Sequence, residues 1–136
     1  MTQFSMHLYL GGARSGKSAA AEHCAMTLAA PSGRLPFYLA TGQAFDDEMQ
    51  ARIDLHQQRR GSDWNLVEAP IDLGNKIALH DTPQAVMLVD CLSVWVTNLL
   101  IGNHDFSPSH LAQAHINNER RLMFTWRRKG NRISSK

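Results

Sequence analysis

An α/β fold with a mostly parallel sheet is predicted by three observations. Short apolar runs alternate with helical segments along the whole chain. The first run passes through a glycine-rich loop directly into an alanine-rich helical stretch. The strongest run, Ala85-Val86-Met87-Leu88-Val89-Asp90, is continuously apolar and ends in a carboxylate, as suits a strand buried on both faces of a parallel sheet.

The elements follow in order. Met6–Leu10 reads as a strand, and Lys17 to Ala29 as a helix whose alanines permit close packing on a sheet, ended by Pro31-Ser32-Gly33. Phe37–Ala40 is a short strand leading through Thr41-Gly42-Gln43 to a helix from about Asp46. That helix has Asp46, Asp47 and Glu48 at its start and Arg59 and Arg60 before Gly61, the arrangement the helix dipole favours. A strand around Trp64–Glu68 stops at Pro70, and a helical stretch over Asp72 to His80 precedes the strong strand. Ser93 to Leu100 is helical, Gly102-Asn103 breaks it, and Ser107-Pro108 has the cap-then-proline start of a further helix near Ser109–Met123. Beyond it, 124–136 has no strand-like run and is expected to be disordered, so the sheet is expected to be incomplete at its C-terminal end. The organisation is then a nucleotide-binding domain over 1–123 and a basic tail over 124–136.

Bulk properties narrow the class. With 136 residues, 43% of them hydrophobic and 19% charged, the chain is a single globular domain rather than a disordered segment. A net charge of +2 does not by itself imply nucleic-acid binding, although seven of the 14 Lys and Arg lie in the last seventeen residues with no acid among them. Cys24 and Cys91 have neither metal-ligand spacing nor a secreted framework, and are read as buried thiols of a reducing compartment. The apolar window from Val86 to Ile101 is interrupted by Asp90 and is too short for a membrane span, so a cytoplasmic protein is expected.

The chemistry starts at Gly11-Gly12-Ala13-Arg14-Ser15-Gly16-Lys17-Ser18, which fits the phosphate-binding pattern Gly, four residues, Gly-Lys-Ser. A strand that turns through such a loop into a helix aims several backbone N–H groups, with the positive end of the helix dipole, at one anion. Lys17 is placed to reach the β and γ phosphates, and the Ser18 hydroxyl to ligate Mg²⁺. Asp90, at the end of a buried strand, suits the same ion, directly or through water, or caps the helix starting near Ser93. His56 lies four residues after Arg52 on one helix face, where a cation favours neutral, nucleophilic imidazole and can also clamp phosphate. His7, His23, His80, His104, His110 and His115 show no metal-site pairing. Trp64 and Trp95 are expected to fill the core or cover an interface rather than stack on a base.

Four blocks in order then carry a family resemblance. Leu10 to Ser18, Ala40-Thr41-Gly42-Gln43-Ala44-Phe45-Asp46-Asp47-Glu48-Met49, Arg52-Ile53 with His56, Arg60 and Trp64, and Asp90-Cys91-Leu92-Ser93 with Trp95, Asn98 and Leu99 resemble the bifunctional adenosylcobinamide kinase/adenosylcobinamide-phosphate guanylyltransferase family of cobalamin biosynthesis. The resemblance runs from about Met6 to Met123 and implies a P-loop NTPase-like fold. It also implies phosphorylation of adenosylcobinamide with ATP or GTP, followed by transfer of GMP from GTP through a guanylyl-histidine to give adenosylcobinamide-GDP. It makes His56 the guanylylated residue and Arg52 and Arg60 phosphate partners, with Gly11 to Ser18 and Asp90 holding the nucleotide and Mg²⁺. Family members are homo-oligomers.

The chain departs from the family in having Gln57 and Gly61 where arginine and proline are frequent, and in its ending. The family continues past the helix near Ser109–Met123 with a strand, an Asn-Glu-Val-Gly type loop, a long helix and a final strand. Phe124 to Lys136 resembles none of these, which points to a truncated or frame-shifted product whose sheet has a bare edge. Another small-molecule P-loop kinase, a non-catalytic nucleotide-binding fragment, and a nucleic-acid-binding arm around Trp126-Arg127-Arg128-Lys129 stay open as alternatives, the last the least supported.

Overall fold

The computed structural model describes residues 5–12, 15–43, 46–102 and 121–127. Five strands, β1 (Ser5–Gly11), β2 (Phe37–Ala40), β3 (Asn65–Glu68), β4 (Val86–Asp90) and β5 (Arg121–Arg127), form one parallel sheet in the order β1-β5-β4-β2-β3. Among the described residues four helices accompany them: α1 (Lys17–Ala29), α2 (Asp47–Arg60), α3 (Leu73–Leu79) and α4 (Leu92–Ile101). A single 3-10 turn, Ala30–Ser32, ends α1, with Gly33 closing it in the left-handed region.

The alternation of each strand divides the core into two layers. On one face Ala21, Ala25 and Ala29 of α1 lie on Tyr38, Val86 and Leu88, with Tyr9 and Trp64 packed beside them. Alanine at every fourth position brings the helix close to the sheet and leaves no room for larger side chains. On the other face Leu39, Met87, Val89 and Phe124 meet Leu73 and Ile77 of α3 and Trp95 and Leu99 of α4. Because β4 is buried on both faces, all of Val86 to Val89 is apolar. The expected core role of Trp95 is realised: its indole N–H donates to the Ile71 carbonyl at 2.7 Å. Of the two thiols expected to be buried, Cys91 is; Cys24 is only half-buried.

The last strand corrects the sequence reading. A helix was expected to run to Met123 and a disordered tail to begin at Phe124, yet Arg121–Arg127 is a strand, inserted between β1 and β4. Phe124 is in the core and Thr125 is fully buried. Arginines flank the run Leu122-Met123-Phe124-Thr125-Trp126, so no isolated apolar stretch marks it. Its conformation is decided by ladders on both sides, pairing Tyr9 with Thr125 and Val89 with Phe124. The rest of the helix expected near Ser109 and the tail beyond Arg127 lie outside the described residues.

Among the described residues β1 is an outer strand. Met6, Leu8 and Leu10, on its face away from α1, are all more than half exposed.

Candidate nucleotide site

Parallel strands bring all their carboxyl ends to one edge of the sheet, and the glycine-rich loop and Asp90 meet there. Gly11 is the last residue of β1, and a Cβ there would clash with the Ser15 hydroxyl. Gly16 precedes α1 with φ +81°, in the left-handed region that favours glycine. Lys17 folds back over the loop and its ammonium donates to the Gly12 carbonyl at 3.3 Å. Ser18, half-buried, follows it in the first turn of α1. Ala13 and Arg14 of the loop lie outside the described residues.

Asp90 stands two strands away, with β5 between, so the strand axes are about 9–10 Å apart. Its carboxylate does not cap α4, whose N-cap is Cys91 with no side-chain cap bond. It is held instead by two hydroxyls. Tyr38 of β2 donates to Oδ2, and Thr125 of β5 donates to Oδ1 at 2.5 Å. A buried bridge fixes the backbone just beyond. Thr41 Oγ1 accepts from the Cys91 N–H and donates to the Cys91 carbonyl, both at 2.8 Å, and the Thr41 N–H donates to the Asp90 carbonyl at 3.2 Å. Asn98 then donates to the carbonyls of Thr41 and Pro70, at 2.8 and 2.9 Å, tying α4 to both loops.

Helix α2 begins as its sequence indicates, with the Asp46 carboxylate accepting from the Met49 N–H at 2.7 Å. His56 is exposed on this helix. Arg52 pairs with Glu48 at 3.0 Å, both well exposed, and such a surface pair is held by only about 0.3–0.5 kcal/mol. Arg60 lies with its guanidinium 3.7 Å from the centre of the Tyr38 ring, and Trp64 meets the same ring edge-on.

Glu22 of α1 joins the two helices, with its Oε1 buried, free of hydrogen bonds and 3.8 Å from Arg59. Burial holds the Glu22 carboxyl above its usual pKa against the opposing pull of Arg59 and Arg60; the charge of Asp90 adds to the rise and that of His56 opposes it. Tyr38 is raised well above the ordinary phenol value, first by burial and then by the negative charge of Asp90, so it remains a donor. Tyr9, hydrogen-bonded to the Cys24 thiol and partly desolvated, is pushed up to about 12.

Tyr38, Thr125 and Glu22 were not singled out from the sequence. Tyr38 sits two residues before Ala40-Thr41, a period-2 position on the face of Asp90, which is a usable signal. Thr125 lay in the segment read as tail and had none. No group of three or more His, Cys, Asp or Glu capable of holding a metal occurs among the described residues. A magnesium ion that takes most of its ligands from phosphate and water needs no such cluster. One hydroxyl at Ser18 and one carboxylate at Asp90 with lone pairs to spare fit that donor set.

A parallel sheet whose first strand enters Gly11–Ser18 and whose inner strand ends in Asp90 defines an α/β protein of the P-loop NTPase-like class. The chain belongs to the cobinamide kinase / cobinamide phosphate guanyltransferase family, whose sequence pattern matches residues 7–131. That match passes beyond Met123, where the resemblance was expected to stop, and takes in all of β5. Among its relatives are bifunctional adenosylcobalamin biosynthesis proteins of Pseudomonas aeruginosa, 47% identical over 94 residues, and of Escherichia coli, 44% identical over 95. That of Salmonella typhimurium is 42% identical over 95 residues. These alignments cover 69–70% of the chain and 50–52% of the relatives, so the chain spans about half the length of the curated relatives it matches. No described helix is long and apolar enough to cross a membrane.

Proposed function

We propose that this chain carries the nucleotide site of an adenosylcobinamide kinase and adenosylcobinamide-phosphate guanylyltransferase. In the first reaction the hydroxyl of adenosylcobinamide attacks the γ-phosphorus of ATP or GTP and the nucleoside diphosphate leaves. In the second a ring nitrogen of His56 attacks the α-phosphorus of GTP, the bond to the β-phosphate oxygen breaks, and pyrophosphate leaves. A phosphate oxygen of adenosylcobinamide phosphate then displaces the histidine and forms adenosylcobinamide-GDP.

Each residue has a part. Backbone N–H groups of the Gly11–Ser18 loop and the Lys17 ammonium hold the phosphates, with Lys17 leaving its contact on Gly12 to do so. Ser18 and Asp90 would hold Mg²⁺, which neutralises phosphate charge when bound. Arg52, whose exposed pairing with Glu48 costs little to break, and Arg60 serve as further phosphate partners. The observation that carries this reading is the convergence of the loop and Asp90 at one sheet edge, in a chain matched to this family over residues 7–131. Cytoplasmic location and a homo-oligomeric state belong to the same proposal.

The test is covalent labelling. The chain is incubated with magnesium and GTP labelled in the α-phosphate, denatured, and assayed for an acid-labile, base-stable adduct. Label expected on the unaltered chain should disappear in His56→Ala, whose fold should be intact because His56 is exposed. Label that persists in His56→Ala refutes the role of His56. Nucleotide binding without any label favours the non-catalytic reading.

A further inference from the structure

Asp90 is gripped by residues from the strands on either side of its own. Tyr38 reaches it from β2 and Thr125 from β5, one hydroxyl on each carboxylate oxygen. We infer that Tyr38 and Thr125 are positioning residues that fix the Asp90 carboxylate for the magnesium-bound nucleotide, which makes the segment after Met123 a working part of the site. The inference rests on the reading of Asp90 given above.

Three features support it. First, both hydroxyls donate, and a carboxylate has about four lone-pair positions, so each oxygen keeps capacity for a further partner while losing freedom to rotate. Second, the donors are themselves immobile. Tyr38 is buried, with Arg60 over one face of its ring and Trp64 against its edge, and Thr125 is fully buried in an inner strand. Third, Thr125 has a second acceptor, the Val89 carbonyl, only at 3.4 Å, so the contact with the carboxylate dominates. Preordering of this kind places the carboxylate before the ligand arrives and removes that part of the entropic cost of binding. Through Arg60 the clamp also reaches α2, where His56 lies one helical turn earlier. Tyr38 thereby links the nucleotide-holding acid to the helix of the proposed acceptor.

The experiment is calorimetric binding of guanosine 5′-(β,γ-imido)triphosphate by the full chain, across a magnesium series and in EDTA. Tyr38→Phe and Thr125→Val each remove one hydroxyl and keep the side-chain volume nearly constant. Each should raise the half-saturating magnesium concentration about tenfold or more, the usual effect of losing a partner of a metal-holding group. Affinity in EDTA should be unchanged, and Thr125→Ser should restore the magnesium response because it keeps the donor. Cooperative unfolding of every variant is checked by circular dichroism; should Tyr38→Phe not fold, the Thr125 pair decides. An unchanged magnesium response in Thr125→Val, or equal weakening with and without magnesium, overturns the inference. Asp90→Asn separates it from its premise. If that variant keeps the magnesium response, the role assigned to Asp90 is wrong; if it loses the response while Tyr38→Phe and Thr125→Val keep it, only the positioning role is wrong. No binding by the unaltered chain refutes the nucleotide site itself.

Discussion

Thr41→Val tests the bridge that fixes the end of β4. Threonine and valine differ by a hydroxyl against a methyl, so the substitution opens no cavity. The hydroxyl is the partner of two backbone groups of Cys91, accepting from its N–H and donating to its carbonyl, both at 2.8 Å, and both residues are buried. Valine leaves the Cys91 N–H with no replacement in a site closed to water, whereas the Cys91 carbonyl keeps the Trp95 N–H at 3.2 Å. Orphaning a buried polar group costs about 1–3 kcal/mol, a large share of a domain's net stability of about 5–15 kcal/mol. At about 2.1 cal/mol/K per residue, a chain of 136 residues has an unfolding entropy near 0.29 kcal/mol/K, so Tm should fall by roughly 3–10 °C. Urea unfolding followed by far-ultraviolet circular dichroism gives the free energy directly, and an unchanged m-value keeps the comparison two-state. A loss below about 0.5 kcal/mol would refute the reasoning: the Cys91 N–H would then have another partner, and Thr41 would not hold the strand end.

Three further outcomes are expected. Gly11→Ala should weaken nucleotide binding and cost about 1–3 kcal/mol by pressing its methyl on Ser15, and the added change Ser15→Gly should recover most of the loss in titration calorimetry; no recovery would place the strain elsewhere. The Glu22 carboxyl is raised on folding, so the folded chain binds more protons and its contribution is complete below the unfolded value near 4.5 and lost as pH rises through the folded value. Glu22→Gln should therefore be more stable than the unaltered chain at pH 7 and lack that fall when Tm is followed from pH 4 to 7; equal slopes would refute it. Both tyrosines of the chain are raised, Tyr9 to about 12 and Tyr38 further, so stability is complete below about pH 10 and declines above it. Absorbance titration at alkaline pH should show no phenolate forming near pH 10 while the chain is folded, and a normal titration would contradict the burial of Tyr38.

Local signals explain which elements were legible. Strand β2 was read at its observed bounds, and the limits of α2 were set by a capping aspartate and a pair of terminal arginines, interactions confined to neighbours in sequence. Strand β4 announced itself because burial on both faces demands an unbroken apolar run. Strand β5 gave no such signal. Arginines at both ends make its short apolar run look like the end of a helix followed by a tail, and only pairing with β1 and β4 makes it a strand.

The same division holds in the site. A glycine that must adopt φ +81° and the residues Lys17 and Ser18 directly after it are properties of consecutive positions, so the sequence alone determined a glycine-rich turn of phosphate-loop pattern at the start of α1. It also put Asp90 at the end of a buried strand. What grips Asp90 came from 52 and 35 residues away in the chain, at Tyr38 and Thr125. Which strands stand beside β4 is a matter of sheet order, an outcome of side-chain packing across both faces of the sheet, and tertiary structure alone decided it.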